Sequence, residues 1–276
     1  MNFLSIYWDA DPIIFSIGSF AILWYSLAWI LTFGLGTLLM MKFYKREKLS
    51  MDLIDPLFYS MFIGVFIGAR LGHCFFYEPD YYLAQPLEIL KVWKGGLSSH
   101  GGAVGILLAL WWYVRKYGKK NDIDYFWILD RICILVALAG LWIRTGNLMN
   151  SEIYGNPTDL PWGFIFARHG ETVPKHPTQI YEALSYFSIF LIMIFLYMKK
   201  LPQLKRGFLF GFFMTTCFSA RILIEFIKEP QVEEEIGMVL NIGQLLSIPF
   251  VIAGIIIMIW SIRHGKPAAN IHSGIK

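Results

Sequence analysis

Charged residues are scarce in this sequence. Only 16% of the 276 residues are Asp, Glu, Lys or Arg, whereas 56% are hydrophobic. The mean hydropathy of +0.53 is far above what a water-facing surface tolerates. This composition excludes a water-soluble protein and indicates an integral membrane protein.

Cysteines are also rare in the sequence, and the common motifs of intramembrane proteases are missing. The three cysteines, Cys74, Cys133 and Cys217, lie inside apolar stretches without C-x-x-C spacing, which argues against a disulfide framework or a zinc site. We interpret them as small buried packing groups. The sequence has no H-E-x-x-H motif, no G-x-S-G motif and no paired membrane aspartates, so an intramembrane protease is not indicated. We expect neither a metal nor a cofactor.

Long apolar runs, by contrast, are abundant. A transmembrane helix needs about 20 apolar residues to cross a hydrocarbon core of about 30 Å. On this basis the sequence predicts seven helices, near residues 14–41, 56–77, 97–116, 125–144, 179–198, 207–227 and 239–262. The first run is too long for the core of a signal peptide, so we expect it to stay in the mature protein. The predicted fold class is an all-α integral membrane protein, with residues 1–276 forming one polytopic domain.

The basic residues predict the orientation of these helices. Short loops that carry Lys and Arg are held on the cytoplasmic side of a membrane. The loops after the first, third, fifth and seventh spans are basic, whereas the intervening loops carry acids such as Glu78 and Asp80. We therefore place the N-terminus outside, the C-terminus in the cytoplasm and residues 145–178 in a small external cap. The net charge of +4 then comes mostly from the basic cytoplasmic loops, which lie against anionic lipid headgroups. No nucleic acid partner is expected.

Unusual polar residues gather at the external ends of the predicted helices. They are Tyr25, His100, Arg144, Gln179, Tyr181, Glu182, Arg221, Glu225, Asn241 and Gln244. Contact with lipid headgroups alone is an equally good explanation for Gln179, Tyr181, Glu182 and Gln244. An arginine inside an apolar span, such as Arg221, costs a few kcal/mol unless it is paired or faces a polar cavity. A purely structural pair with Glu225, four residues later, remains an alternative.

Three of these residues suggest a phosphate. Arginine grips phosphate through two parallel hydrogen bonds, and Arg144 and Arg221 share one predicted depth. His100 stands at a helix start, where backbone N–H groups favour an anion. Gly101 and Gly102 beside it allow a ligand or a neighbouring helix to approach closely, although a capping or packing histidine is at least as common. A phosphate at the outer membrane surface is most simply a phospholipid headgroup.

The stretch IRTGNLMNSEIYG, residues 143–155, concentrates this chemistry. We expect Arg144 to close the fourth helix and hold phosphate. Asn147, Asn150 and Glu152 would supply donors and acceptors for a hydroxylated group or for the arginines. Glycines 146 and 155 would let the backbone leave the helix and turn over the site.

These motifs resemble those of the prolipoprotein diacylglyceryl transferases of bacterial inner membranes. The family signature G-R-x-G-N-F-x-N-x-E-x-x-G is similar to residues 143–155. Further similarities run in the family's order from about residue 24 to 249, and they are W-Y-S at 24–26, GARLG at 68–72, WKGGLSSHGG at 93–102, HPTQIYE at 176–182 and the R-x-x-x-E of Arg221 and Glu225. The chain departs from the family at Ile143, where a glycine is usual, at Cys217, where a tyrosine is usual, and at KEPQ 228–231, where the family has R-x-P-D.

The resemblance implies a specific reaction. The sn-1,2-diacylglyceryl group of phosphatidylglycerol is transferred to the lipobox cysteine of a preprolipoprotein, which forms a thioether and releases glycerol phosphate. The implied setting is the bacterial cytoplasmic (inner) membrane, with a multi-pass protein whose active site faces the outer leaflet. The implied partners are phosphatidylglycerol, a signal peptide with a lipobox cysteine, and the lipid bilayer.

The same resemblance implies residue roles. His100 is the first candidate for the base that forms the thiolate, with Tyr25 or a carboxylate as rival. Arg144 and Arg221 would stabilise charge on the phosphate, oriented by Glu152 and Glu225, and Asn147 would hold the glycerol headgroup. The remaining residues implied in lipid binding are Asn150, Gly155, Gly101 and Gly102. Both substrates would enter laterally through a gap between helices.

Non-enzymatic membrane proteins are the main alternative. A phospholipid-binding transporter would carry its charges near the bilayer midplane, often on interrupted helices in two repeated halves, whereas here they lie near one face and no repeat is visible. A retinal-type receptor needs a lysine in its last helix, and residues 239–262 contain none.

Overall fold

The computed structural model describes residues 5–18, 20–230, 235 and 237–269. The predictions for the sides of the N-terminus and the C-terminus fall on residues 1–4 and 270–276, which lie outside the described residues. Gln231 of the KEPQ segment also lies outside them. The chain divides into two compact units. Unit 1 contains Met1–Leu39 and Asp130–Ala268, and unit 2 contains Met40–Leu129 and Ala269–Lys276.

The described residues form nine α-helices and four short strands. The helices are α1 Trp24–Arg46, α2 Ile54–Phe76, α3 Pro79–Ala84, α4 Ser99–Tyr113, α5 Lys119–Asn121, α6 Tyr125–Met149, α7 Thr178–Lys200, α8 Phe208–Glu225 and α9 Ile242–His264. The strands are β1 Ile6–Trp8, β2 Ile13–Ile17, β3 Phe20–Leu23 and β4 Phe164–Phe166. β1 pairs in parallel with β4, and β2 pairs antiparallel with β3.

Six helical segments in the described part of the chain are long and apolar enough to cross a membrane. They are Trp24–Arg46, Met51–Phe76, Tyr125–Met149, Thr178–Gln203, Phe208–Glu225 and Ile242–His264. The chain is therefore a mostly helical, multi-pass membrane protein. The predicted span at 97–116 corresponds to α4, whose 15 residues rise only about 22 Å. Helical backbone continues beyond α4 through a π-helical segment, Val114–Gly118, into α5.

The predicted start of the first span at residue 14 is wrong. Instead, β2 (Ile13–Ile17) pairs antiparallel with β3 (Phe20–Leu23), and Ile17 pairs with Phe20. Gly18 has φ +60°, which glycine adopts without steric cost at such a turn. The misassignment has a physical cause: a short apolar run rich in isoleucine and phenylalanine suits a strand as well as a buried helix.

The predicted end of the fourth span at residue 144 is also wrong. Helix α6 continues to Met149, so Arg144 lies inside the helix instead of closing it. Gly146 is helical too and does not let the backbone leave. Instead it lets α1 approach, because a Cβ at Gly146 would lie only 2.8 Å from Cδ2 of Tyr25.

In unit 2, α2 and α4 pack along a stripe of glycines. A Cβ on Gly64 would lie 2.7 Å from the Gly105 carbonyl oxygen, and a Cβ on Gly72 would lie 2.7 Å from the Cα of Gly101. Small residues allow two helix backbones this close in membrane proteins. The glycine next to His100 is therefore part of a helix–helix contact.

Arg70, the arginine of the GARLG motif, also belongs to unit 2. Its side chain is buried and donates hydrogen bonds to carbonyl oxygens of the loop after α3: Nη2 to Glu88 at 2.7 Å, Nε to Ile89 at 2.9 Å and Nη1 to Gly95 at 2.6 Å. A guanidinium carries five donors in a rigid fork, so one side chain holds this loop against α2.

In unit 1, the N-terminal ends of α8 and α9 are fixed by side-chain caps. The buried Asp130 accepts hydrogen bonds from the backbone N–H groups of Gly207 and Phe210, both at 2.8 Å, at the start of α8. Asn241 and Gln244 form a capping box at the start of α9, as expected for residues that open this helix. Gln244 Nε2 also donates to the Ile222 carbonyl oxygen at 3.1 Å, which ties α9 to the end of α8.

Candidate active site

Arg144 projects from α6 towards the start of α7. Its Nε lies 2.9 Å from Oε2 of Glu182, an ion pair that lacks the alignment of a hydrogen bond. Its Nη1 donates to Oδ1 of Asn147 at 3.2 Å. The Glu182 side chain is 0% exposed, and a buried carboxylate needs a cation beside it. Arg144 is therefore oriented by Glu182, and the predicted orienting carboxylate, Glu152, reaches it only through Asn147.

Glu152 gathers both asparagines of the signature. Its Oε1 accepts hydrogen bonds from Nδ2 of Asn147 and Nδ2 of Asn150, both at 3.0 Å. The backbone just after α6 is strained, because Ser151 and Ile153 have φ of 56° and 63°. A positive φ is a genuine outlier for a β-branched residue such as isoleucine, and such strain persists where neighbouring contacts impose it.

The start of α7 holds this strained segment in place. Gln179 Nε2 donates to the Glu152 carbonyl oxygen at 2.7 Å, and Thr178 Oγ1 donates to the Ile153 carbonyl oxygen at 2.8 Å. Both side chains are buried. The HPTQIYE motif therefore supplies both the carboxylate for Arg144 and the support for the turn that presents Glu152.

Arg221 and Glu225 lie one turn apart at the end of α8. Arg221 Nε is 4.0 Å from Glu225 Oε2, which is beyond hydrogen-bond distance, and this nitrogen is buried without a hydrogen-bond partner. The Arg221 side chain is 32% exposed, whereas that of Glu225 is 5% exposed. The arginine is thus near its carboxylate but is not bound by it.

Lys228, which the sequence marked only as the first residue of the KEPQ departure, lies between the two glutamates. Lys228 Nζ lies 3.2 Å from Glu182 Oε1 and 3.2 Å from Glu225 Oε2, and its side chain is 1% exposed. These contacts connect Arg144, Glu182, Lys228, Glu225 and Arg221 into one series of alternating charges, which we call the inner cluster.

Buried groups on α7 and α8 bring the two arginines to one place. Tyr186 and Cys217 lie within electrostatic range of each other and of both Arg144 and Arg221. Tyr25 lies within the same range of Glu152 and Arg144. Tyr186, which the sequence did not indicate, places a hydroxyl beside the cysteine found where a tyrosine is usual.

Gly155 lies where the signature meets the segment after α8. Its N–H donates to the His176 carbonyl oxygen at 2.8 Å, and Asn156 N–H donates to the Ile227 carbonyl oxygen at 2.9 Å. A Cβ at Gly155 would lie 2.7 Å from Cγ2 of Thr178. Gly155 is therefore required for close packing of these segments. Its predicted contact with lipid stays a prediction.

The glycine-rich HGG segment belongs to unit 2. His100 is exposed in the first turn of α4, and Gly102 is buried. Gly101 packs against Gly72, as described above. The predicted roles of His100 as base and of Gly101 and Gly102 in lipid binding stay predictions.

A cavity of about 190 Å³ lies between α6 and α7, lined by residues from Leu141 to Leu148 and from Gln179 to Leu184. Arg144 is among the lining residues, and Leu184 is exposed on the molecular surface. The accessible lining is apolar. Its chemistry suits a hydrocarbon chain.

A second cluster of charges lies in the predicted cap, and we call it the cap cluster. Lys175 Nζ lies 2.6 Å from Glu171 Oε1 and 2.6 Å from Glu229 Oε1. Tyr154 donates from its hydroxyl to Glu171 at 2.9 Å. The hydrogen bond from Lys175 holds the pKa of Glu171 below its ordinary value, and burial together with the neighbouring Glu171 raises the pKa of Tyr154 to about 12.

The geometry of unit 1 suits an anion at the arginines. The inner cluster contains three cations and two carboxylates, and Arg221 has no hydrogen bond from Nε that a ligand would need to displace. Among the described residues, no three His, Cys, Asp or Glu side chains are arranged to hold a metal ion. The arrangement can bind and stabilise a phosphate by charge and directed hydrogen bonds.

The predicted site residues lie in both units. Seven residues of unit 1 are linked by the contacts and electrostatic interactions above: Tyr25, Arg144, Asn147, Asn150, Glu152, Arg221 and Glu225. Gly155 also lies in unit 1, whereas His100, Gly101 and Gly102 lie in unit 2. For Glu182, the sequence analysis favoured a place in the site no more than a contact with lipid headgroups. Its position four residues before Tyr186, on the same helix face, was a usable signal. For Lys228 the usable signal was its place in KEPQ 228–231, where the family has the arginine of R-x-P-D.

Comparisons with known proteins agree on one family. The family model described as prolipoprotein diacylglyceryl transferase matches residues 12–260. Relatives from several bacteria carry the name phosphatidylglycerol–prolipoprotein diacylglyceryl transferase. The protein from Tolumonas auensis is 46% identical over 258 residues, 94% of this chain and 98% of its own. The protein from Chloroherpeton thalassium is 48% identical over 261 residues, 95% and 96%. The protein from Vibrio cholerae is 38% identical over 261 residues, 93% of each.

Proposed function

The chain belongs to the prolipoprotein diacylglyceryl transferase family, and from that premise we propose that it modifies the lipobox cysteine of preprolipoproteins. The sulfur of the cysteine forms a C–S bond to the glyceryl carbon of phosphatidylglycerol. The bond between that carbon and the phosphate oxygen breaks, and glycerol phosphate leaves. The observation that carries the proposal is the pair of arginines, each beside a buried carboxylate.

Charge at the phosphate decides the energetics of this step. The phosphate oxygen gains negative charge as the C–O bond breaks, and Arg144 and Arg221 would stabilise that charge. Fixed donors in a water-poor site are worth far more than in water, commonly a factor of about 10² to 10³ in rate for each donor. Glu182 would position Arg144, and Asn147 would bind the glycerol headgroup.

The thiol must lose its proton to attack carbon. Its ordinary pKa is about 8.5, so only a few per cent is thiolate near neutral pH. We propose His100 as the base, with Tyr25 as the rival, because Tyr25 lies within range of both Arg144 and Glu152.

The membrane arrangement is part of the proposal. α4 together with the helical residues up to Asn121 would form the seventh crossing, with the N-terminus outside and the C-terminus in the cytoplasm. The cavity between α6 and α7 would admit an acyl chain from the bilayer beside Arg144. The protein would work in the bacterial inner membrane, with its site at the outer leaflet and residues 145–178 as an external cap of a single domain. A phospholipid-binding transporter is not favoured, because the relatives are named as transferases.

A direct assay tests the reaction. Purified protein is incubated with phosphatidylglycerol vesicles and a synthetic lipobox peptide, and the peptide is weighed by mass spectrometry. We expect a gain of one diacylglyceryl group, and no gain for a peptide whose lipobox cysteine is replaced by alanine. An unchanged peptide mass with folded protein would contradict the proposed function.

A further inference from the structure

Lys228 is the one member of the inner cluster that contacts two carboxylates from different helices. Glu182 comes from α7 and Glu225 from α8, and Lys228 Nζ lies 3.2 Å from an oxygen of each. All three side chains are at most 5% exposed. Buried charges at these distances interact strongly, and removing one of them leaves the others uncompensated.

The decisive detail is an oxygen that two cations share. Glu225 Oε2 lies 3.2 Å from Lys228 Nζ and 4.0 Å from Arg221 Nε. The lysine is within hydrogen-bond distance and the arginine is not. Arg221 is thus next to a carboxylate that is already satisfied, and its buried Nε stays without a hydrogen-bond partner.

The backbone fixes Lys228 independently of its side chain. Lys228 forms an antiparallel bridge with Gly155, and Glu229 N–H donates to the Tyr154 carbonyl oxygen at 3.4 Å. The lysine is therefore anchored to the segment that follows Glu152, so its ammonium group is held between the carboxylates by main chain as well as by charge.

We propose that Lys228 is a positioning residue that keeps Arg221 available to the lipid phosphate by occupying Glu225. Without the ammonium group, Glu225 would draw Arg221 into a direct ion pair. Arg221 would then have to leave this carboxylate before it could hold phosphate. This inference rests on the proposed function for its ligand, and it concerns affinity for the anionic lipid as well as turnover.

The test uses Lys228→Met, Lys228→Arg, Arg221→Ala and the double variant Arg221→Ala/Lys228→Met. Lys175→Met is the matched control, because Lys175 also bridges two glutamates but lies in the cap cluster. Retention of phosphatidylglycerol over phosphatidylcholine is measured by native mass spectrometry, below the unfolding midpoint of every variant. kcat and KM are measured in the peptide assay.

We expect Lys228→Met to lose phosphatidylglycerol preference and kcat/KM by about 10- to 100-fold, less than the loss of a direct donor. Lys228→Arg should recover most of both, and Lys175→Met should match the wild type. In the Arg221→Ala background, adding Lys228→Met should lower kcat/KM by less than about threefold further. The reason is that the effects of residues that act through one another are not additive. A merely structural lysine would instead add its full effect.

Distinct outcomes separate this inference from the proposed function. Wild-type lipid preference and kcat/KM in Lys228→Met, or full additivity with Arg221→Ala, would overturn the role of Lys228. A wild type without transfer activity would overturn the proposed function, and the lipid-retention measurement would still decide the role of Lys228. A wild type that does not prefer phosphatidylglycerol would overturn the role of Lys228 as well.

Discussion

The inner cluster and the cap cluster use the same local chemistry in different settings. In each, a buried lysine lies between two glutamates and a tyrosine is close by. The cap cluster contains no arginine, and its single cation, Lys175, contacts both carboxylates. The inner cluster continues at both ends into an arginine, and one of these arginines has an unpartnered nitrogen. A bridged lysine alone therefore indicates structure, and the arginines beyond it indicate a ligand.

The largest expected effect comes from Arg144, one of the two arginines at the ends of the inner cluster. Arg144→Ala should lower kcat/KM for transfer by at least about 10³-fold, because it removes a phosphate donor and leaves Glu182 with fewer counter-charges. Kinetics of the purified variant measure this. The matched cap variant, Lys175→Met, should stay within about threefold of the wild type. Near wild-type turnover in Arg144→Ala would remove the distinction between the clusters.

The carboxylates give the next contrast. Glu182→Gln keeps the shape of the side chain but removes the charge that Arg144 and Lys228 share. We expect kcat/KM to fall by about 100-fold, since a buried charge pair loses one partner. Glu171→Gln makes the same change in the cap cluster and should leave kcat/KM unchanged. Equal losses in the two variants would mean that both clusters act only on folding.

The tyrosines give a smaller contrast. Tyr186→Phe removes a hydroxyl beside Arg144 and Cys217 and should lower kcat by about 10-fold, the order of one hydrogen bond to a charged group. Tyr154→Phe removes the hydroxyl that donates to Glu171 and should leave kcat unchanged. Steady-state kinetics of both variants decide the point. An unaffected kcat in Tyr186→Phe would exclude this hydroxyl from the reaction.

The smallest effect is a pH dependence confined to the cap cluster. Because Lys175 lowers the folded pKa of Glu171, the ionised carboxylate stabilises the folded cap. That contribution is complete above the ordinary pKa of about 4.5 and is lost as pH falls through the lower folded value. Hydrogen-exchange protection of the Phe164 and Lys175 amides, which pair with each other, should fall in this range. The fall should be weaker in Glu171→Gln, and equal falls would contradict the assignment.

Much of the membrane architecture could be predicted from hydropathy, because runs of about 20 apolar residues have few alternatives. The antiparallel pair β2–β3 could not, since a short apolar run fits either a strand or a helix. The end of α6 was placed too early because Arg144 and Gly146 look like a helix end, yet contacts with Glu182 and Tyr25 keep both inside the helix.

The candidate site could be predicted in its residues but not in its pairings. An arginine inside an apolar span is costly enough to stand out, and so Arg221 was found. Arg144 was found because the polar stretch at residues 143–155 follows an apolar span. Which carboxylate orients Arg144 depends on how α6 packs against α7, and no local pattern contains that information. Lys228 follows a helix end, where a lysine is normally solvated, and only the fold buries it between two glutamates.

The most direct test of the arginine pair is lipid selectivity without catalysis. Wild type, Arg144→Ala/Arg221→Ala and Lys175→Met are reconstituted in nanodiscs of mixed phosphatidylglycerol and phosphatidylcholine, and the lipids that each protein retains are counted by native mass spectrometry. We predict that the wild type and Lys175→Met retain phosphatidylglycerol preferentially and that the double arginine variant shows no preference. Undiminished preference in the double variant would contradict the claim that the inner cluster binds the lipid phosphate.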